Sequence, residues 1–250
     1  MVDLSIIIPA YNEEKRIEKT LEDYVRFFSK KKIDFEIFIV LNGCRDNTLG
    51  VVQKIEKKYR WIKHIDIKEA IGKDGAVIEG FKRTEGNFIG FVDADNASPP
   101  QEFYKLLENI KEYDGAIGSR WMKNSKVKMS LLRKILSKCF HAYVNLLFNL
   151  KYQDTQCGCK LFKNPAIKKV VNHLGATKWA WDVDLLYLMK RESYKIKEVP
   201  TVWAEPGKSH VKLSQIISGF VLPLIRLRLY YSPFKPIIGV YNKTLLKLTK

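Results

Sequence analysis

The sequence predicts an α/β fold built on a mostly parallel sheet with helices on both faces. Through the first half of the 250-residue chain, short apolar runs of strand length alternate with segments whose apolar residues recur at helical spacing. Parallel strands joined by crossover helices are the arrangement that such alternation favours. Hydrophobic residues make up 46% of the chain and aromatic residues 12%, which is ample for the core of one large domain.

The predicted elements of the first half begin with a short buried strand that Pro9 closes. The apolar residues Ile17, Leu21 and Val25 give the first helix one buried face. In chain order the elements are the strand Leu4–Ile8, the helix Glu13–Lys30, the strand Phe35–Leu41, the helix Asn47–Tyr59, the strand Trp61–Ile67, the helix Lys73–Arg83, the strand Phe88–Val92, the helix Pro100–Tyr113 and the strand Gly115–Ser119.

The second half changes character, because its long predicted helix is apolar over an unusually wide surface. Its elements are the helix Met129–Leu150, a polar loop running into a short strand over Asp154–Phe162, the helices Ala166–His173 and Asp182–Arg191, the strand Tyr194–Trp203 and an amphipathic segment, Leu213–Tyr231, interrupted by Pro223. No linker is visible. We expect a main domain over residues 1–212 and a basic amphipathic segment over residues 213–250.

Composition narrows the class of partner and the compartment. The formal net charge of +17 indicates an anionic partner such as nucleic acid, an acidic membrane surface or a phosphorylated substrate, unless the lysines serve only solubility. The four cysteines form no zinc pattern and are expected to be free thiols. The N-terminus lacks the basic region of a signal peptide, and no apolar run reaches the roughly 18 to 20 residues that span a bilayer. We therefore expect a cytoplasmic protein.

Two carboxylates follow the strand Phe88–Val92 directly, in the tripeptide Asp93-Ala94-Asp95. Open α/β sheets bind ligands outside the carboxyl ends of their strands. Carboxylate oxygens suit Mg²⁺ or Mn²⁺, which commonly arrive with substrate phosphates. The pair therefore suggests a nucleotide sugar or another diphosphate substrate. The alternative is a polar turn that caps the next helix, since Ser98-Pro99 follows.

Polar residues also follow the first two predicted strands. After the first, Tyr11 can stack on a base and Glu13 can accept a hydrogen bond from a base or ribose, although Asn12 and its acidic neighbours can equally begin a helix. After the second, Asn42 can bind a base edge, and Asp46 can do so or cap the following helix. The chain contains neither GxGxxG nor GxxxxGK[ST], which argues against dehydrogenases and P-loop NTPases.

Taken together, four motifs in order resemble family 2 glycosyltransferases of the GT-A fold. They are Pro9-Ala10-Tyr11-Asn12-Glu13, Asn42-Gly43-Cys44-Arg45-Asp46-Asn47-Thr48, Gly72-Lys73-Asp74-Gly75-Ala76 and Asp93-Ala94-Asp95. Motifs of the second half resemble those of polyprenyl-phosphate sugar synthases, the dolichyl-phosphate glucose and mannose synthases. They are Gly118-Ser119-Arg120, Arg133 with Ser137, Asp154-Thr155-Gln156-Cys157-Gly158-Cys159-Lys160-Leu161-Phe162, Trp179-Ala180-Trp181-Asp182-Val183-Asp184 and Gly207-Lys208-Ser209. The third and fourth of these are closer to the glucose branch.

The resemblance implies a role for each matching residue. The nucleotide pocket would be lined by Pro9, Tyr11, Glu13, Asn42, Asp46, Lys73 and Asp93. Asp93 and Asp95 would hold Mg²⁺ or Mn²⁺ with the donor diphosphate, and Asp95 would be catalytic. Arg120, Arg133 and Ser137 would bind the acceptor phosphate, while Lys208 and Ser209 would close over the donor. Asp182 and Asp184 would position the acceptor or act as a weak base, unless they only place negative charge at a helix N-terminus.

The implied reaction is inverting transfer of a hexose to a polyprenyl or dolichyl monophosphate. UDP-glucose is the favoured donor and GDP-mannose the alternative; Leu41 and Asn42 stand where the family often has two aspartates, and Ala97 where mannose synthases have a metal-binding Gln. The basic C-terminal segment and the helix Met129–Leu150 predict peripheral attachment to an anionic membrane on its inner face. A glycolipid or polysaccharide acceptor and an inactive nucleotide- or nucleic-acid-binding protein remain open. We expect no nucleic-acid partner, because no recognised module is visible.

Overall fold

The computed structural model describes residues 2–174, 180–204 and 221–239. Its elements, in chain order, are β1 (Leu4–Ala10), α1 (Ile17–Phe28), β2 (Phe35–Asn42), α2 (Thr48–Lys58), β3 (Ile62–Ile67), α3 (Gly72–Arg83), β4 (Phe88–Val92), α4 (Pro100–Ile110), β5 (Gly115–Ser119), β6 (Lys126–Lys128), α5 (Leu131–Phe148), β7 (Cys159–Lys163), α6 (Asn164–Val171), α7 (Trp181–Arg191), β8 (Ile196–Pro200), β9 (Val202–Ala204) and α8 (Leu222–Tyr230). A 3₁₀ turn, Lys235–Ile237, follows α8.

Seven strands form one sheet in the order β3-β2-β1-β4-β7-β5-β8. The strand β7 runs antiparallel to both of its neighbours, β4 and β5, while every other pairing in this sheet is parallel. The predicted α/β fold with a mostly parallel sheet is confirmed. The strands β6 and β9 pair with each other in a separate two-stranded ribbon.

Successive side chains along a strand point to opposite faces of the sheet, so the core consists of two layers, one on each face. On β1, Leu4, Ile6 and Ile8 point into one layer, which α1, α2 and α4 cover. Ile7 points into the other layer, against α3, α6 and α7. Both faces of the sheet are therefore covered by helices, and its strands are apolar on both sides, as parallel strands in such folds are.

The direction of β7 determines where the loop before it lies. A short strand was predicted here, but its place in the main sheet was not. An antiparallel strand begins at the edge where its parallel neighbours end. Val92, at the end of β4, lies opposite Cys159, the first residue of β7. The loop from Asp154 to Gly158 is therefore placed at the carboxyl edge of the sheet, between the ends of β4 and β5.

Several predicted boundaries need correction. The single strand Tyr194–Trp203 is two strands, because β8 ends at Pro200 and β9 begins at Val202 in the other sheet. The helix predicted from Glu13 begins at Ile17, and the short strand β6 was missed. Of the predicted segment Leu213–Tyr231, the described part contains α8, which begins at Leu222 with Pro223 in its first turn, where proline is tolerated. The predicted domain boundary at residue 212 and the segment 213–220 lie outside the described residues.

The helix α5 confirms the long predicted helix and leaves much of its apolar surface uncovered. Only Val144 and Phe148 of this helix are buried. Leu131, Leu132, Ile135 and Leu146 are between 51% and 82% exposed. Among the described helices none is long and apolar enough to cross a membrane.

Candidate active site

The loops after β1 and β2 are joined by hydrogen bonds across the sheet edge. Asn12, which adopts a positive φ of 55°, accepts a hydrogen bond at Oδ1 from the backbone N–H of Arg45, at 2.8 Å. The backbone N–H of Glu13 donates to Thr48 Oγ1 at 2.8 Å, and the Glu14 carboxylate accepts from the N–H of Asn47 at 2.9 Å. The two loops therefore form one hydrogen-bonded wall at the carboxyl edge of the sheet.

Asp46 and Asn42 support this wall through their side-chain oxygens. Asp46 accepts from the N–H and hydroxyl of Thr48, at 3.0 and 2.5 Å, and from the N–H of Glu14. Burial acts to raise the pKa of Asp46, but these hydrogen bonds hold it below its ordinary value. Asn42 is buried, and its Oδ1 accepts from the N–H of Ile71 at 2.7 Å. Both side chains thus hold loops in place. The hydrogen bond from the N–H of Thr48, the first residue of α2, is the helix-capping contact that the sequence left open as the alternative role of Asp46.

Tyr11 and Glu13, which follow β1, offer an aromatic ring and a carboxylate at this edge of the sheet. The Tyr11 ring is 48% exposed and offers a face on which a base can stack. Glu13 accepts two hydrogen bonds of 2.7 Å from the Arg16 guanidinium. Burial raises the pKa of Glu13 despite the opposing effect of Arg16. Pro9, which precedes them on β1, is buried and pairs with Val40 of β2, so it supports the loop from below.

The two aspartates after β4 sit in different environments. Asp93 forms an ion pair with Lys73, near the start of α3, and its carboxylate lies directly over Gly158. Asp95 accepts a hydrogen bond from the N–H of Ala97 at 3.0 Å. Burial and the nearby charge of Asp93 raise the pKa of Asp95. Burial opposes the charge on Lys73, yet Asp93 and Asp182 keep its pKa above the ordinary value.

A second ion pair, between Lys160 and Asp182, is buried in the interior. Lys160 was not predicted to be a functional residue. Lys160 of β7 is fully buried, and its ammonium donates to Asp182 Oδ1 at 2.5 Å and to the Cys157 carbonyl at 2.6 Å. Burial raises the pKa of Asp182, while Lys160 and Lys73 act to lower it. The available signal was a lysine flanked by Cys159 and Leu161 in a predicted strand, because a charge buried there must be paired.

Asp184 forms a hydrogen bond on a different side of α7 from Asp182. Two residues along a helix correspond to about 200° of rotation, so Asp182 and Asp184 leave α7 on nearly opposite sides. Asp184 is fully buried and accepts a hydrogen bond from the Tyr231 hydroxyl, just beyond α8, at 2.6 Å. Asp182 therefore faces the sheet edge, and Asp184 connects α7 to α8.

Arg120, which follows β5, is held by a buried carboxylate. Its Nε and Nη2 atoms donate to the two oxygens of Asp154 at 2.7 and 2.9 Å, and its backbone N–H also donates to Asp154 at 2.9 Å. Burial opposes both charges, but the pair lowers the pKa of Asp154 and raises that of Arg120. Glu198 of β8 accepts in turn from the N–H groups of Gln153 and Asp154.

Arg133 and Ser137, the other residues predicted to bind the acceptor phosphate, lie on α5. The guanidinium carbons of Arg133 and Arg120 lie 5.1 and 5.4 Å from the centroid of the Trp203 ring. Ser137 is half-buried, one helical turn after Arg133. Lys208 and Ser209 lie outside the described residues. The sequence did not single out Trp203, although an aromatic residue beside the predicted closing loop could have suggested it.

The donor set at Asp93 and Asp95 fits a hard divalent cation that is shared with a substrate. Both residues supply carboxylate oxygens, the ligand type that Mg²⁺ and Mn²⁺ prefer. Within the described ranges, no group of three or more His, Cys, Asp or Glu side chains is arranged to hold a metal ion. A cation bound here would therefore take its remaining ligands from substrate phosphates or water.

Comparison with known proteins places this arrangement in a family. The family model described as "Glycosyl transferase family 2" matches residues 5–171. This chain belongs to glycosyltransferase family 2. The dolichyl-phosphate beta-glucosyltransferase of Saccharomyces cerevisiae is 34% identical, over 96% of this chain and 76% of the yeast protein. The human protein of the same name is 31% identical, over 90% of this chain and 75% of its own. The resemblance predicted from the motifs is confirmed.

Solved structures support the fold of this glycosyltransferase. Glucosyl-3-phosphoglycerate synthase from Mycobacterium tuberculosis, in complex with Mn²⁺, UDP and glucosyl-3-phosphoglycerate, matches 91% of this chain and 79% of its own, with a TM-score of 0.63 and 15% identity. The S. aureus TarS fragment in complex with UDP-GlcNAc matches 99% of this chain and 71% of its own, with a TM-score of 0.60 and 17% identity. The GT-A-like architecture is thus shared with both.

The Arg120–Asp154 pair gives a stability prediction. Because Asp154→Asn leaves a buried guanidinium without its carboxylate, we expect the free energy of unfolding at neutral pH to fall by about 3–5 kcal/mol. The folded-state pKa of Asp154 is lowered, so its contribution is present above the unfolded-state pKa and lost as pH falls through the folded-state pKa. The difference between wild type and variant should therefore shrink below about pH 4. Urea unfolding across this pH range measures it.

The matched control for Asp154→Asn is Glu22→Gln, which removes an ion pair with Lys58 on the exposed side of α1. Surface pairs contribute little, so its unfolding midpoint should stay close to that of the wild type. Equal midpoints for Asp154→Asn and the wild type at neutral pH would show that the buried pair does not hold this loop.

Proposed function

We propose that this glycosyltransferase transfers glucose from UDP-glucose to a polyprenyl or dolichyl monophosphate and forms a β-linked lipid-phosphate sugar. One observation carries the proposal: the carboxylate pair after β4 and the arginine pair near β5 and α5 share the same edge of the sheet. Asp93 and Arg120 follow β4 and β5, which are separated in the sheet only by β7. A cation-binding and an anion-binding group side by side suit a diphosphate donor and a phosphate acceptor.

The donor side of the proposed site is the wall formed by the loops after β1 and β2. Tyr11 would stack on the base, and Glu13 would accept from the nucleoside. The Oδ1 atom of Asn42 accepts a hydrogen bond from the N–H of Ile71, so the two side-chain amide N–H groups of Asn42 would face the nucleotide. Asp46 would act mainly by holding the wall. Lys73 would place its ammonium beside the diphosphate while paired with Asp93.

Asp93 and Asp95 would hold Mg²⁺ or Mn²⁺. When bound, such an ion neutralises the negative charge that develops on the leaving nucleoside diphosphate. Asp95 must be ionised to serve as a ligand, and burial together with Asp93 disfavours that ionisation. A bound cation would therefore relieve the repulsion between the two carboxylates.

The acceptor side needs positioning more than base catalysis. A lipid monophosphate has a second pKa near about 6, so at neutral pH it is largely a dianion and needs no proton removed. Arg120 and Arg133 would bind it through guanidinium N–H groups, with Ser137 as a further donor. Holding this nucleophile behind the anomeric carbon would give in-line displacement, so that an α-linked donor yields a β-linked product.

In this mechanism Asp182 is a positioning residue and not a base. Its carboxylate is paired with the buried Lys160 ammonium, and its charge also acts on Lys73. Asp182 would thereby keep both lysines charged and hold Lys73 near Asp93. We assign no catalytic step to Asp184, which anchors Tyr231. A transferase with a hydroxyl acceptor would instead need Asp182 as its base, and this is the second candidate.

The test is transfer of radiolabel from UDP-glucose, and separately from GDP-mannose, to a polyprenyl phosphate in the presence of Mg²⁺ or Mn²⁺. The proposal expects label in the organic phase from UDP-glucose, with loss of transfer after chelation with EDTA or in Asp95→Asn. Label from GDP-mannose alone would overturn the choice of sugar. Transfer to a glycolipid or polysaccharide hydroxyl, but not to the lipid phosphate, would favour the second candidate.

Gly158 offers a test of where Asp93 must sit. A Cβ atom added at Gly158 would overlap the Asp93 carboxylate and lie 2.6 Å from its Cγ atom. We expect Gly158→Ala to displace Asp93 and to lower kcat/KM for transfer by about 100-fold, the cost of a misplacement of about 1 Å. Steady-state kinetics with UDP-glucose measures this effect.

Gly239→Ala is the control for Gly158→Ala, because among the described residues no heavy atom lies within 4 Å of the Cβ atom that it would add. Its kinetic constants should match the wild type. If Gly158→Ala also retains wild-type kinetics and the same thermal midpoint, the position of Asp93 does not matter for transfer.

We further propose that α5 attaches the enzyme to the inner face of an anionic membrane. Leu131 and Leu132 are 73% and 66% exposed and directly precede Arg133, and Ile135 follows one position after Lys134. Inserting these apolar side chains into the headgroup region would bring Arg133 to the depth of the lipid phosphate. Lys134 and Lys138, both exposed, would add attraction to anionic lipids.

Vesicle flotation tests this surface. The triple variant Leu131→Ser, Leu132→Ser and Ile135→Ser should remain in the soluble fraction with vesicles of phosphatidylcholine and phosphatidylserine, whereas the wild type should float. Leu146→Ser, which changes an 82% exposed leucine about 22 Å further along α5, is the control and should float. Unchanged flotation of the triple variant would refute this attachment surface.

A further inference from the structure

One indole ring contacts both arginines of the proposed acceptor site. The guanidinium carbons of Arg120 and Arg133 lie 5.4 and 5.1 Å from the Trp203 ring centroid, within the range of a cation–π interaction. Trp203 is only 7% exposed, so both contacts are largely shielded from water. The two cations come from separate parts of the chain, after β5 and in the first turn of α5.

The position of Trp203 is fixed by the ribbon of β6 and β9. Trp203 pairs with Val127 across this ribbon. At the entry to β6, the Ser125 hydroxyl donates to the Ser119 carbonyl at 2.6 Å and accepts from the N–H of Thr201 at 3.2 Å. The ribbon is thereby connected to the end of β5, next to Arg120. Its other strand is connected to α4, because the N–H of Val202 donates to the buried Glu102 carboxylate at 2.9 Å.

An aromatic contact holds an arginine differently from a carboxylate. A ring attracts the face of a guanidinium, whereas a phosphate or a carboxylate binds the N–H donors at its edge, so one guanidinium can make both kinds of contact. A carboxylate would occupy those donors, as Asp154 does with Nε and Nη2 of Arg120. Two guanidinium groups near one ring also repel each other, and a phosphate dianion between them would offset that repulsion.

We propose that Trp203 is a positioning residue that holds Arg120 and Arg133 together as one phosphate-binding unit. The inference rests on the proposed function, because it assigns the phosphate monoester of the acceptor as the ligand of this unit. Trp203 itself touches neither the phosphate nor the sugar. Its removal should weaken acceptor binding and leave donor binding unchanged.

The experiment compares Trp203→Leu, Trp203→Phe and the wild type in binding farnesyl monophosphate, with farnesol as the uncharged counterpart, by calorimetry. We expect Kd for the monophosphate to rise about tenfold in Trp203→Leu and about threefold in Trp203→Phe, which retains a weaker aromatic face. Kd for UDP should stay at the wild-type value in both. In the transfer assay, KM for the lipid phosphate should rise while KM for UDP-glucose stays constant.

Val202→Ala is the matched control, since it changes the neighbouring, 41% exposed side chain of β9 and keeps the backbone contact to Glu102. Its constants should equal those of the wild type. If the wild type and Trp203→Leu bind farnesyl monophosphate equally well, the role of Trp203 is refuted while the proposed function stands. The same conclusion follows if Trp203→Leu loses affinity for UDP to the same extent as for the monophosphate. A wild type that binds the monophosphate no better than farnesol would overturn the acceptor proposal as well. Should Trp203→Leu not fold, Trp203→Phe decides between these outcomes.

Discussion

Charge balance at the carboxyl edge of the sheet is the constraint on which the rest of the site depends. Lys73 pairs with Asp93, Lys160 with Asp182, and Arg120 with a further buried aspartate. The second and third of these pairs are buried, and a charged group taken out of water is tolerated only when it is paired and hydrogen-bonded, so these two contacts hold their loops in one position. The Lys73 side chain is 47% exposed, so the first pair holds its loop less firmly. The loops after β4 and β5 and the start of α7 are thereby fixed before any substrate binds.

The antiparallel strand β7 makes this balance possible. A parallel strand between β4 and β5 would have begun at the opposite edge and carried its preceding loop away from the site. Because β7 runs the other way, Gly158 lies under the Asp93 carboxylate, and Lys160 reaches Asp182 from within the sheet. The close approach at Gly158 explains why a side chain is excluded there. One reversed strand therefore joins the proposed donor half of the site to the proposed acceptor half.

The arginines of the proposed acceptor site also connect it to the exposed surface of α5. Leu131, Leu132 and Arg133 are consecutive in the first turn of this helix, where Ser130 accepts a hydrogen bond from the N–H of Arg133. Exposed apolar side chains and a guanidinium that lies over the Trp203 ring thus share one helical turn. In the proposed function, the same turn would meet the membrane and hold the lipid phosphate, so membrane attachment and acceptor binding would be coupled by geometry.

The sequence by itself determined the α/β class, the order of most helices and strands, and the family, because apolar periodicity and the motifs at strand ends are local features. It also placed Asp93 and Asp95 at the carboxyl end of a strand, where open α/β sheets bind ligands, whereas Arg120 was singled out only by the family resemblance. Only the tertiary structure decided that Asp182 and Asp184 face different partners, that Lys160 is a buried counter-charge, and that two arginines share one indole. These features depend on contacts between residues far apart in the chain, and local patterns carry no information about which distant groups will meet.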